Sequence, residues 1–151
     1  MVPTDFLMNI QMIMKLHDSI LKEICEKYQM TLIEAKIISF LHNNPGKDTA
    51  ADIVELRMLQ KGNVSQAVDV LFRKSLLIRR QDGEDRRRIH LTLTKQADSV
   101  VNDIKKIQNE LKKEIFSGLS EDEIEVFFRV NGKIKENTQK VLKGGEETER
   151  R

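Results

Sequence analysis

Arg86, Arg87 and Arg88 stand in a row just after an acidic turn, within "RRQDGEDRRRIHLTLT" at residues 79–94. A guanidinium is permanently charged, and its planar fork of donors fits phosphate and carboxylate oxygens. On a free tail, such a run would be an ordinary solvated stretch. Here it leads into strand alternation, with Ile89, Leu91 and Leu93 on one face and Arg88, His90 and Thr92 on the other. Asp82-Gly83 is a turn signal between two short strands, expected at 76–80 and 88–93. The arginines are therefore expected at the tip of a hairpin whose apolar face is held in a core. Asp85 is placed to brace one of them, fixing its direction before a ligand arrives.

Upstream, residues 61–74 read as a helix. At the helical period Val64, Ala67, Val68, Leu71 and Ser75 fall within about 60° of one direction. Gln66, Asp69, Val70 and Arg73 fall on the opposite face, with Ser65 at its edge. Such a face can read nucleic-acid edges: Gln66 suits adenine, Arg73 guanine or phosphate, and Val70 a thymine methyl. Lys61, Gly62 and Asn63 lie at the helix start, where free amides and a missing side chain allow close approach to phosphate. Lys74 adds a cation at the other end. Asp69 would repel phosphate, so it is expected to orient Arg73 four residues on or to brace a wing arginine.

These elements need a scaffold. Residues 5–28 carry apolar side chains at helical spacing without internal proline or glycine. Thr31 with Glu34 forms a capping-box pattern that opens a second helix, and "HNNPGKD" at 42–48 ends it. Thr49 or Asp48 caps a short third helix to about Arg57, and "MLQK" connects it to residues 61–74. After Thr94 come two long helices, 95–116 and one beginning at Ser120 with Glu123 at the capping-box position. "GGEETERR" reads as a disordered tail at 144–151. The fold class is mainly α with a small β-hairpin wing. A winged helix–turn–helix lobe at 31–94 joins a helical dimerisation region at 1–30 and 95–143. The terminal helices are apolar over more length than the small middle domain can cover, so they are expected to pack against another copy; a larger monomeric bundle is the plainer alternative.

Net charge is only +2 over 151 residues. Between Arg57 and Lys95, however, the balance is +6, which leaves −4 elsewhere. A mildly acidic body with one basic middle points to a localised polyanion-binding surface. Aromatic residues are 5%, too few for a single-strand stacking platform. "FLMNIQMIM" at 6–14 is too short and polar to cross a membrane, and the single Cys25 fits a reducing, cytoplasmic location.

The ordered set "KGNVS", Val68-Asp69, "LIRRQDGEDRR" and "LTLT" resembles the signature segment of the MarR family of bacterial transcription regulators, and the likeness extends over almost the whole chain. The resemblance implies a homodimer joined by its terminal helices, two winged-helix lobes and binding of double-stranded DNA at a pseudo-palindromic operator. It also implies that Arg86 and Arg87 are wing-tip arginines. Gln60, Val70, Phe72 and Ser75 depart from the family's common residues, and fewer basic groups on the recognition helix shift weight to the wing.

No GxGxxG, P-loop or HExxH argues for catalysis, so neither enzyme activity nor a cofactor is expected. His17, His42 and His90 lie in different elements, which gives no metal pattern; His90 is expected to help contact a phosphate. Cys25 has two readings: a redox switch, as the resemblance suggests, or a small apolar residue on a helix face. The methionines of the first helix suit an adaptable pocket for a small-molecule effector, or simple core filling. The expected function is a DNA-binding regulator, a repressor. The alternatives are a winged-helix module gripping an acidic protein and a thiol-based redox regulator.

Overall fold

A computed structural model describes residues 3–150. Met1, Val2 and Arg151, at the ends of the expected segments, lie outside the described residues. Six helices and one hairpin follow in order: α1 Thr4–Tyr28, α2 Leu32–Asn43, α3 Ala50–Arg57, α4 Lys61–Arg73, β1 Leu77–Gln81, β2 Ile89–Leu93, α5 Asp98–Ile115 and α6 Glu121–Glu149. A short 3-10 turn at Lys95–Ala97 leads into α5. The mainly helical class with a two-stranded antiparallel hairpin is the expected one.

The chain forms two units, Met1–Leu111 and Lys112–Arg151. The core of the first unit draws on every element from α1 to α5. Leu21 and Ile24 of α1, Ile37 and Ile38 of α2, Ile53 of α3, Val64 and Leu71 of α4, and Val100 and Ile104 of α5 are all essentially inaccessible. Leu77 and Leu91 bring the base of the hairpin into the same cluster. Burying each such side chain contributes about 1.5–3 kcal/mol, which offsets the entropy of ordering the chain. The second helix and the third begin in full capping boxes, Thr31 with Glu34 and Thr49 with Asp52. Of the two candidate caps for α3, Thr49 holds the position. The start of α5 is tied to the end of α1, because Asp103 accepts from Lys27 Nζ at 2.7 Å and Tyr28 Oη at 2.6 Å.

In the second unit α6 opens in the expected capping box of Ser120 and Glu123. Phe116, Phe127 and Phe128 pack edge-to-face and tilted, with ring centroids 5.2–5.4 Å apart. The helix does not stop at Leu142. It runs through both glycines to Glu149, where a disordered tail was expected. A glycine in a helix costs only about 1 kcal/mol relative to alanine, and Thr148 Oγ1 back-bonds to the Gly144 carbonyl at 3.0 Å. No residue of α6 is buried, and Phe127, Val130, Ile134 and Leu142 each expose 44–54% of their surface.

The hinge between recognition helix and wing is a Schellman motif. Ser75 N–H donates to the Phe72 carbonyl and Leu76 N–H to the Leu71 carbonyl, both at 3.0 Å. That geometry requires a left-handed residue, and Ser75 supplies it at φ 62°. Ser75 therefore sits exposed beyond the helix rather than on its core face. Relief of left-handed strain exceeds the added flexibility of glycine by roughly 0.5–1 kcal/mol, so Ser75→Gly is expected to stabilise the lobe by that amount. Urea unfolding should show a higher midpoint with an unchanged slope; a lower midpoint would contradict the strain.

Candidate nucleic-acid interface

Helix α4 divides as its sequence dictates. Val64, Ala67, Val68 and Leu71 are buried, while Lys61, Gly62, Asn63, Ser65, Gln66, Asp69 and Arg73 are exposed. Val70 is half-buried at the boundary. A Cβ placed on Gly62 would meet nothing within 4 Å, so the backbone at the helix start is open to an outside partner. Helix α3 packs against α4 across a turn at 58–60, with Met58 left-handed at φ 52°. This is a helix–turn–helix. Ser65 and Val68 of α4 share a groove of about 400 Å³ with Arg79, Gln81, Ile89 and Leu91 of the hairpin. The recognition helix and the wing thus border one surface.

The hairpin pairs in register, Leu77 with Leu93, Arg79 with Leu91 and Gln81 with Ile89. Beyond that last rung the tip is shaped by its own polar groups. The Asp82 carboxylate accepts from the Glu84 and Asp85 amides at 3.0 and 2.9 Å. Asp82 N–H donates to the Arg88 carbonyl at 2.9 Å, and Gln81 Nε2 donates to the Arg86 carbonyl at 3.1 Å. Arg86, Arg87 and Arg88 are all exposed. Arg87 and Arg88 border a second groove, of about 420 Å³, with Thr49, Ala50 and Asp52 at the start of α3.

Four expected placements need correction. Lys74 is exposed but its ammonium is already engaged: Nζ donates to the Gln29 carbonyl at 2.8 Å and to Glu34 at 3.3 Å, in the junction of α1 and α2. Glu34 is 4% exposed, and its buried carboxylate draws the Lys74 ammonium to it. Asp85 accepts from the Arg87 backbone amide at 3.0 Å rather than from a guanidinium, because the tight tip brings amides closer than side chains. Ile89 is 37% exposed, since the wing leaves the body before its last rung; the core takes Leu91 and, in part, Leu93. His90 faces no open surface. Its Nδ1 lies 2.7 Å from Asp48 and its Nε2 2.6 Å from Asp82.

Asp69 pairs with Arg79 of β1. Arg79 also stacks over the Phe72 ring at 4.8 Å, a cation–π contact that gives the exposed Phe72 a use. Arg73 Nε donates to the Asp69 carbonyl at 3.4 Å. Sequence reasoning missed the contacts of Lys74 and His90, which span 40 and 42 positions. Only Asp69 carried a signal, as an acid on an otherwise phosphate-seeking face.

Cys25 is partly exposed and packs against the core, and burial pushes its thiol up, away from the reactive thiolate. Among the described residues no group of three His, Cys, Asp or Glu side chains is arranged to hold a metal. No helix among them is long and apolar enough to cross a membrane.

Residues 28–88, from the end of α1 to the wing tip, match the model of the MarR family. This segment belongs to the MarR family. Beyond that segment, the fold is that of solved MarR-family regulators over 87–93% of the chain. It is 19% identical to a MarR transcriptional regulator from Methanosarcina mazei Go1, with 91% of this chain and 99% of that one covered and a TM-score of 0.75. A MarR family transcriptional regulator from Listeria monocytogenes, solved complexed with 26mer DNA, is 19% identical over 87% of each chain, with a TM-score of 0.73. BpsR from Bordetella bronchiseptica, whose DNA binding is regulated by 6-hydroxynicotinic acid, is 18% identical over 87% of this chain and 98% of its own, with a TM-score of 0.64.

Lys74→Ala should behave as a stability variant, not a binding variant. Leaving Glu34 without its cation costs on the order of 1–3 kcal/mol. Urea unfolding should register that loss while the salt dependence of any nucleic-acid binding keeps its slope; a slope smaller by about one would return Lys74 to the interface.

Proposed function

We propose that the protein is a homodimeric, sequence-specific DNA-binding regulator, a repressor. In this reading the helix at 61–74 enters the major groove and the wing at 79–90 the minor groove. The observation that carries it is the shared border of recognition helix and wing, with Ser65 and Gln66 exposed on one and Arg86, Arg87 and Arg88 on the other. Lys61, Gly62 and Asn63 would take backbone phosphates, while Gln66, Val70 and Arg73 would meet base edges. The Listeria monocytogenes relative solved with DNA supports this use of the fold. BpsR supports a small-molecule effector, whose chemistry stays open. We infer no catalytic role. Burial of the Cys25 thiol favours regulation by means other than that residue.

Gel shifts with promoter DNA beside the protein's own gene test the reading. Six to ten phosphate contacts imply a loss of roughly 10³–10⁵ in affinity between about 50 and 200 mM salt. Arg87→Ala should weaken specific binding by about 1–3 kcal/mol per wing if it reads base edges. Arg88→Ala should lower affinity on all sequences and flatten the salt slope by about one. Binding with no preference over random duplex would instead favour an acidic protein partner.

The dimer would be formed by the apolar faces of the terminal helices. On α1, Leu7, Met8, Met12 and Met14 each expose more than half of their surface, and α6 has no buried residue. Surface of this kind on a regulator marks an association site. Deleting residues 120–151 should therefore give a monomer by light scattering and weaken DNA binding, since two half-sites are held together. A truncated chain that remained dimeric would place the interface elsewhere.

A further inference from the structure

His90 is held at both ring nitrogens, and its contacts are separate from those assigned to DNA. Its side chain is 14% exposed and bridges the turn before α3 and the wing tip. On one side, Nδ1 meets Asp48 in the turn before α3, whose carbonyl also accepts the Leu91 amide at 2.8 Å. On the other, Nε2 meets Oδ1 of Asp82, whose second oxygen holds the Glu84 and Asp85 amides of the wing tip. Neutral imidazole has one N–H, and a carboxylate can only accept. Only the imidazolium can donate to both acids at once.

We propose that protonated His90 is a positioning residue of the wing, an imidazolium that fastens Asp82 at the tip to Asp48 before α3, so that the wing loosens and duplex affinity falls as the solution becomes alkaline. The part of this inference that concerns DNA rests on the function proposed above; the part that concerns wing order does not. The charged groups facing the ring are Asp82 from the wing, Asp48 from the turn and Arg80 from β1, which pairs opposite His90 across the hairpin. The hydrogen bonds to Asp82 and then Asp48 raise the imidazole above its ordinary value, against burial and Arg80. A raised folded value means that the fastening is complete below the unfolded value of about 6.5 and is lost as pH rises through the higher folded one. On the acid side, His90 and the tip amides hold Asp82 far below the usual carboxylate range, so mild acid leaves the contact intact.

The test follows three readouts on the full chain between about pH 6 and pH 9. Imidazole carbon shifts report the titration of His90, methyl relaxation of Ile89 reports wing order, and fluorescence anisotropy reports affinity for a duplex selected by the wild-type chain from a random pool. His90 should titrate above 6.5, and the Ile89 methyl should gain mobility at the same midpoint. Duplex affinity should fall roughly three- to tenfold at fixed salt, the cost of ordering one or two wing side chains on binding. His90→Gln should remove the pH response of both wing and affinity, and Asp48→Asn should lower the His90 midpoint. Titration at or below the ordinary value, or an Ile89 methyl indifferent to it, overturns the proposal. So does a wing that loosens while affinity for the selected duplex stays constant. If no duplex is bound at any pH but the wing loosens on cue, the DNA reading fails and the fastening stands.

Discussion

Burial of a single helical stripe governs what the lobe presents outward. With Val64, Ala67, Val68 and Leu71 against the core, the helical period leaves Ser65, Gln66, Asp69 and Arg73 no choice of direction. The same burial sets where α4 must end. Leu71 is the last buried residue, and its carbonyl is the acceptor that closes the Schellman turn into β1. Recognition face and wing origin thus follow from one packing event, and the hairpin needs only Leu77 and Leu91 to anchor its base.

Around this frame the negative charges of the basic segment are used internally. Asp69 holds Arg79, Asp82 serves the tip amides and His90, and Asp85 takes the Arg87 amide. Three of the segment's four acids are thus engaged in shaping the surface, and the Glu84 carboxylate is left exposed at the tip. The guanidinium groups of Arg86, Arg87 and Arg88 are left at the surface. The local positive balance read from composition is therefore sharpened by the fold at the tip, where Asp82 and Asp85 have partners and the three guanidinium groups are exposed.

Elements whose causes are local were legible in the sequence. The capping boxes at Thr31, Thr49 and Ser120, the amphipathic stripe of α4 and the Asp82-Gly83 turn each involve residues within a few positions of one another. The contacts of Lys74 and His90 were not legible, because they depend on where α2 and the turn before α3 arrive in space. The helical continuation past Gly144 was missed for a different reason: glycine and charge were read as disorder, although Glu, Thr and Arg tolerate a helix once it has started. Ile89 shows the limit of alternation itself. Its position on the inner face is right, but the strand extends past the body that would have covered it.

The short link at Ser75 makes the wing a lever. Helix α4 ends at Arg73 and β1 begins at Leu77, and the turn between them is closed by two backbone bonds and by Thr94, whose hydroxyl donates to the Ser75 carbonyl at 2.6 Å. Arg79, held by Asp69 and Phe72, braces the strand against the helix a second time. Helix and hairpin therefore turn together. The five residues of β1 give an arm of about 17 Å, so a rotation of α4 by about 10° carries the tip through about 3 Å. That is the length of a hydrogen bond. In the proposed function, a small tilt of the lobe would carry the wing arginines into or out of reach of a groove.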